Sequence, residues 1–87
     1  MGTLTSSFSE EIELYPNPNN GFVNINMNQV IDQLELQILD IKGNIHYQNE
    51  FRQVQNMNFE LQIPAGTYII YIKDNKNRVA NLRMIKH

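Results

Sequence analysis

Few side chains of this 87-residue chain could do chemistry. Its histidines are His46 and His87, and it has no cysteine, which excludes a disulfide framework and a thiolate nucleophile or metal site. No serine lies in a Gly-x-Ser-x-Gly elbow, and the isolated glycines cannot form a phosphate-binding loop. His46 would lack a nucleophilic partner if it acted as a catalytic base. We therefore predict that the chain is not an enzyme.

The remaining polar and aromatic candidates also favour structural roles. Asp40 could be a metal ligand, but it has no second carboxylate nearby in sequence, so we expect it to stabilise a turn. The acidic group Glu10, Glu11 and Glu13 reads as solvated charge. The tyrosines could form a sugar-stacking platform, although tyrosines on strands more often supply packing; they are Tyr15, Tyr47, Tyr68 and Tyr71. We predict no cofactor and no metal.

Net charge and hydropathy limit the kinds of partner that the chain is expected to bind. The net charge is −2 and the basic residues are scattered, which argues against a nucleic-acid partner. No apolar stretch is long enough for a transmembrane segment. The N-terminal residues carry no apolar signal-peptide core, so an exported protein would have its signal upstream and this chain as its later part.

Period-two alternation of apolar and polar residues predicts strands rather than helices. It is clear in residues 23–27, 34–38, 59–63 and 80–86, and weaker at 12–14 and 45–51. Residues 67–73 are apolar on both faces, which suits a central strand. The pattern predicts an all-β fold, a seven-stranded antiparallel immunoglobulin-like β-sandwich. We expect these core residues: Val23, Ile25, Leu36, Ile38, Leu61, Tyr68, Ile70, Leu82 and Met84.

Turn residues separate the predicted strands. Two prolines and Gly21 exclude helix or central strand from residues 16–21. Asp40 and Gly43 predict a hairpin turn, in which the carboxylate accepts backbone N–H groups and the glycine takes a positive φ. Pro64 and Gly66 predict a second turn, and residues 74–77 a third. Residues 1–11 read as a flexible linker, so the domain is expected over residues 12–87.

Four of these segments, taken in order, resemble a known family. Leu14-Tyr15-Pro16-Asn17-Pro18 resembles the Y-P-N-P motif that opens type A C-terminal sorting domains of the type IX secretion system. The D-x-x-G turn, the P-x-G-x-Y segment and the basic, apolar chain end resemble three further motifs of that family. The resemblance implies a recognition motif made of Tyr15, Pro16, Asn17, Pro18, Asp40, Gly43, Pro64, Gly66, Tyr68, Arg83 and Lys86.

The resemblance also implies a function. Such a domain directs a larger N-terminal passenger from the periplasm through the outer-membrane translocon, and a surface sortase then commonly removes the domain. The protein would be secreted or held at the cell surface of a Gram-negative bacterium. We expect Arg83 and Lys86 to point outward from the last strand, and cleavage to fall in residues 2–11. The alternative is a carbohydrate-binding or fibronectin-like accessory module of an extracellular enzyme.

Overall fold

The computed structural model describes residues 8–87 and shows an antiparallel, all-β chain. A 3-10 helix, Phe8–Glu11, precedes five strands: β1 (Glu13–Tyr15), β2 (Phe22–Asp40), β3 (Ile45–Glu60), β4 (Gly66–Asp74) and β5 (Val79–Lys86). The strands form one sheet in the order β1-β2-β4-β5, with β3 also paired to β2. Within the described residues, no helix is long and apolar enough to cross a membrane.

The long hairpin of β2 and β3 bends sharply near its middle. The β2–β3 register shifts between Asn26 and Ile31, and both Asn28 and Gln53 have positive φ. A straight β3 would separate Tyr47 from Phe59 by about 40 Å, yet their ring centroids are 5.1 Å apart. The two halves of the hairpin therefore face each other, and β1 extends one half while β4 and β5 extend the other.

This bend explains why the structure has five strands where the sequence predicted seven. The predicted strands 23–27 and 34–38 are the two halves of β2, and residues 45–51 and 59–60 belong to the two halves of β3. Polar residues such as Asn28 lie where the strand bends. In the sequence they resemble the end of a strand, but the strand continues through the bend. The prediction of an antiparallel all-β chain is confirmed, and the immunoglobulin-like pair of separate sheets is not.

One hydrophobic core lies between the two facing halves. Eight of the nine predicted core residues are buried, and Leu82 is half-buried against them. The central strand β4 lies between β2 and β5, as its two apolar faces predicted. Further core members escaped prediction; they include Phe8, Ile12, Met27, Ile72 and Ala80.

The N-terminal region contributes to this core. Phe8 is buried, and the guanidinium of Arg78 lies 4.5 Å from the centroid of its ring. Such a cation–π contact contributes about 0.5–1 kcal/mol at an exposed site. Of the linker predicted over residues 1–11, residues 8–11 form the 3-10 helix, and residues 1–7 lie outside the described residues.

Candidate functional site

The segment of residues 16–21, between β1 and β2, binds the C-terminal strand. The side chain of Asn17 donates from Nδ2 to the carbonyl oxygen of Arg83 at 3.0 Å and accepts from the N–H of Ile85 at 2.9 Å. The backbone of Asn19 continues the pairing: its N–H donates to the Ile85 carbonyl at 2.9 Å, and its carbonyl accepts from the N–H of His87 at 2.8 Å. The first and last motifs therefore form one surface, although more than sixty residues separate them along the chain.

The buried side chain of Asn19 holds the 16–21 segment in shape. Asn19 is only 2% exposed; its Oδ1 accepts from the N–H of Gly21 at 2.8 Å, and its Nδ2 donates to the Pro16 carbonyl at 3.3 Å. Gly21 has a φ of +110°, and a Cβ there would lie 2.7 Å from the carbonyl oxygen of Leu61. Both the backbone conformation and the available space therefore require glycine at this position.

The Asp40 turn is the second motif, and its carboxylate organises the loop between β2 and β3. Oδ1 accepts from the N–H groups of Lys42 and Asn44, both at 2.9 Å, and Oδ2 lies 2.9 Å from Nε2 of His46. Gly43 takes a φ of +90°, as the turn requires. The hydrogen bond with the His46 ring, followed by that from the Asn44 N–H, holds the pKa of Asp40 well below its usual range.

The His46 ring connects this turn to the third motif. It packs edge-on against Tyr68 with ring centroids 5.3 Å apart. The hydroxyl of Tyr68 donates to the carbonyl of Pro64 at 2.6 Å, which fixes the turn before β4. Tyr68 is 3% exposed, so it is a core residue whose polar tip orders the turn rather than a side chain open to a partner.

Strand register places the two groups of motifs side by side at one end of the sheet. Asp40 on β2 pairs with Tyr68 on β4, and Tyr68 pairs with Met84 on β5. The Asn17 side chain bonds the residues on either side of Met84. Gly66 pairs with Lys86 two positions further along the same two strands. The structure therefore gathers residues from all four predicted motifs into one region.

The two basic residues of the last strand do not share a face. Arg83 is exposed, whereas Lys86 is half-buried and alternates with Met84 and Leu82 on the core side. The Lys86 side chain lies close to Gly21, since Cε would be 3.1 Å from a Cβ at that glycine. The prediction that both point outward is wrong for Lys86, because residues three apart on a strand fall on opposite faces.

A second aspartate turn, at the third turn that the sequence predicted, mirrors the Asp40 turn. Asp74 is buried; Oδ1 accepts from the N–H groups of Lys76 and Arg78, and Oδ2 accepts from Nε of Arg78 at 2.7 Å. Burial alone would raise the pKa of Asp74, but the backbone and guanidinium N–H groups of Arg78 outweigh it and lower that pKa. The sequence contains one clue to this similarity. In both turns the aspartate is followed three residues later by a residue with positive φ, Gly43 after Asp40 and Asn77 after Asp74.

The described residues do not assemble the alternative sites considered from the sequence. Among residues 8–87, no three His, Asp or Glu residues are grouped to hold a metal ion. The tyrosines do not form one exposed platform: Tyr68 is buried, Tyr47 packs against Phe59, and Tyr71 lies on the opposite face of β4 from Tyr68. The carbohydrate-binding alternative therefore has no geometric support in this region.

Comparison with known protein families and with curated proteins gave one informative result. Residues 13–86 match the family model described as the secretion system C-terminal sorting domain. No curated protein matches the chain. The matched residues include β1 to β5 and all four motif segments.

Proposed function

Since the chain belongs to the family of secretion system C-terminal sorting domains, those of the type IX system, we propose that it directs an N-terminal passenger through the outer-membrane translocon. The passenger would reach the periplasm by a separate signal, and the folded domain would then be recognised there. The destination is the medium or the cell surface of a Gram-negative bacterium.

The observation that best supports this proposal is the joining of the four motifs by folding. The 16–21 segment and β5 are linked through Asn17 and Asn19, and the Asp40 turn is linked to the Pro64 turn through His46 and Tyr68. A receptor that binds this region would recognise the folded domain and not a linear peptide. A rigid surface loses little conformational entropy on binding, which favours recognition.

Within this surface, the motif residues divide into two proposed roles. Tyr15, Pro16 and Pro18 are exposed and free to contact a receptor, as is the Arg83 side chain. Asn17, Asp40 and Tyr68 make hydrogen bonds within the domain and position the exposed groups. We assign Gly43 and Gly66 to turn formation, since both adopt positive φ.

Processing by a surface sortase is the second part of the proposal. Cleavage would fall in residues 2–11, and within that range the buried Phe8 and its 3-10 helix favour a site before Phe8. A protease needs extended backbone, and residues 13–87 are largely paired in the sheet. Mass spectrometry of a released passenger would locate the cut, and a site beyond Tyr15 would contradict this assignment.

The function can be tested by fusing the whole chain behind a periplasm-targeted fluorescent protein in a host that carries a type IX system. We expect the reporter outside the cell, and we expect it to remain in the periplasm when the fusion lacks β5. That deletion removes Met84 from the core and exposes the edge of β4, so it disrupts both fold and surface. Retention of the intact fusion in the periplasm would refute the proposal.

A further inference from the structure

One outer face of the sheet is apolar next to the motif region. Leu39 on β2 pairs with Ile45 on β3 and with Ile69 on β4, and Ile69 pairs in turn with Arg83 on β5. Paired residues on adjacent strands lie on the same face. Leu39, Ile69 and Arg83 alternate with core-facing residues along β2, β4 and β5, so the row lies on the side of the sheet away from the core. Ile45 joins this row through its pairing with Leu39, after a shift in the β2–β3 register.

One apolar residue lies on each side of that row. Tyr71 on β4 and Ile85 on β5 lie on the same face as Ile69 and Arg83, two residues along each strand. Ile45 is 50% exposed and Ile85 is 36% exposed, while Ile69 and Tyr71 are half-buried. We name the surface formed by Leu39, Ile45, Ile69, Tyr71, Arg83 and Ile85 the outer patch.

Charge is distributed unevenly along this face. Arg83 is the single charged side chain of the outer patch, and it forms no ion pair within the described residues. The row of Tyr71 contains Gln37, Gln48 and Asn81, which are uncharged. The next row carries Glu35, Glu50 and Lys73 together with Val79, at the end of the sheet away from the motifs. A solvent-facing surface would be expected to carry polar residues along its whole length.

We infer that the outer patch is the contact surface for a protein of the secretion machinery, one that presents apolar side chains around a carboxylate. This inference rests on the proposed function and identifies the face that the receptor binds. Aromatic and arginine side chains surrounded by apolar residues are typical of the centre of protein interfaces. The apolar contact would bury the guanidinium of Arg83, and a buried charge without a counterion is unfavourable. A carboxylate on the partner would supply that counterion.

The same charge pattern disfavours two other occupants. A symmetric contact between two copies centred on this row would bring the Arg83 side chains of both copies together without a carboxylate between them. An anionic lipid surface attracts clusters of basic residues, and the outer patch has one in a chain of net charge −2. A heterologous protein partner is the occupant that the chemistry favours.

Export of the fluorescent fusion tests the outer patch through two substitutions. Ile69→Thr keeps a β-branched side chain but removes apolar contact, and Arg83→Glu reverses the single charge. We expect each to reduce the exported fraction about tenfold, the effect of about 1.4 kcal/mol in binding. The matched controls are Val79→Thr, which changes an exposed apolar residue of the same strand as Arg83, and Lys76→Glu, in an exposed turn. Both controls should be exported like the parent.

The outcomes separate this inference from the proposed function. If the parent fusion stays in the periplasm, the proposed function fails and the inference fails with it. If the parent is exported and both outer-patch variants are exported equally well, the inference alone is wrong. Thermal melting of the purified variants shows whether each one is folded. If Ile69→Thr melts at a lower temperature than the parent, the export of Arg83→Glu alone tests the inference, because Arg83 is exposed and its replacement should not disturb the fold.

Two measurements on the purified chain test the other occupants. Sedimentation equilibrium should show a monomer, and a dimer that Arg83→Glu dissociates would assign the outer patch to self-association. Co-sedimentation with vesicles of phosphatidylethanolamine and phosphatidylglycerol should show no binding. Binding that Arg83→Glu removes would assign the outer patch to a lipid surface. Either positive result would overturn the inference.

Discussion

Replacing Asn19 with alanine should destabilise the domain, because this side chain fixes the segment that binds the C-terminal strand. The substitution removes the acceptor of the Gly21 N–H, which is buried, and the donor to the Pro16 carbonyl. An unpaired buried N–H costs about 1–3 kcal/mol, so we expect a loss of about 2 kcal/mol. In a domain of this size, each kcal/mol lowers the melting temperature by about 4–8 °C, so the melting temperature should fall by about 8–16 °C.

The neighbouring residue provides the control for this measurement. Asn20 is exposed, and its Oδ1 accepts from the N–H of Phe22 at 3.3 Å, where water can replace it. Asn20→Ala should change the stability by less than about 0.5 kcal/mol. Thermal melting by circular dichroism, with urea unfolding as a second measure, compares the two variants. If Asn19→Ala melts within about 3 °C of the parent, the Asn19 side chain does not hold the segment in place.

Three further predictions concern the core, the glycine contact and acid stability. Ile70→Ala should cost about 2–5 kcal/mol in urea unfolding, because Ile70 is fully buried; parent-like unfolding would show that the core has been misplaced. Gly21→Ala should lower the melting temperature, because a Cβ would collide with the Leu61 carbonyl, and an unchanged value would rule out that contact. The lowered pKa of Asp40 means that its hydrogen bonds stabilise the fold fully above pH 3.8 and progressively less as the pH falls below it. Asp40→Asn should therefore lose less stability than the parent between about pH 5 and pH 2.5, and an identical pH profile would show that the hydrogen bonds to the Asp40 carboxylate do not contribute to acid stability.

The local elements of the fold were predictable because strand periodicity and turn chemistry depend on neighbouring residues. Alternation in residues 34–38 and 80–86 correctly predicted extended chain, and Asp40 with Gly43 correctly predicted the hairpin. The continuity of β2 and β3 through their bends was not predictable, since it depends on pairing between strands. Asn28 and Gln53 take positive φ within a ladder that continues on both sides of them.

The candidate site was predictable as a list of motifs but not as a surface. The backbone pairing of Asn19 with β5 and the packing of His46 on Tyr68 depend on partners far along the chain, so local sequence gave no indication of either. The opposite orientations of Arg83 and Lys86 could have been predicted from the sequence, because side chains alternate between the two faces of a strand and residues three apart therefore lie on opposite faces. The outer patch required the register of four strands, which only the folded structure supplies.

The most direct test of the sorting function measures the fraction of the fluorescent reporter found outside the cell in two matched hosts, one with the type IX translocon and one without it. The reporter carries the intact chain, and a second reporter without the chain serves as the control. We predict that the fusion appears outside only in the host with the translocon, and that the reporter without the chain stays in the periplasm of both. Equal export from the two hosts, or periplasmic retention of the fusion in both, would contradict a sorting role for this domain.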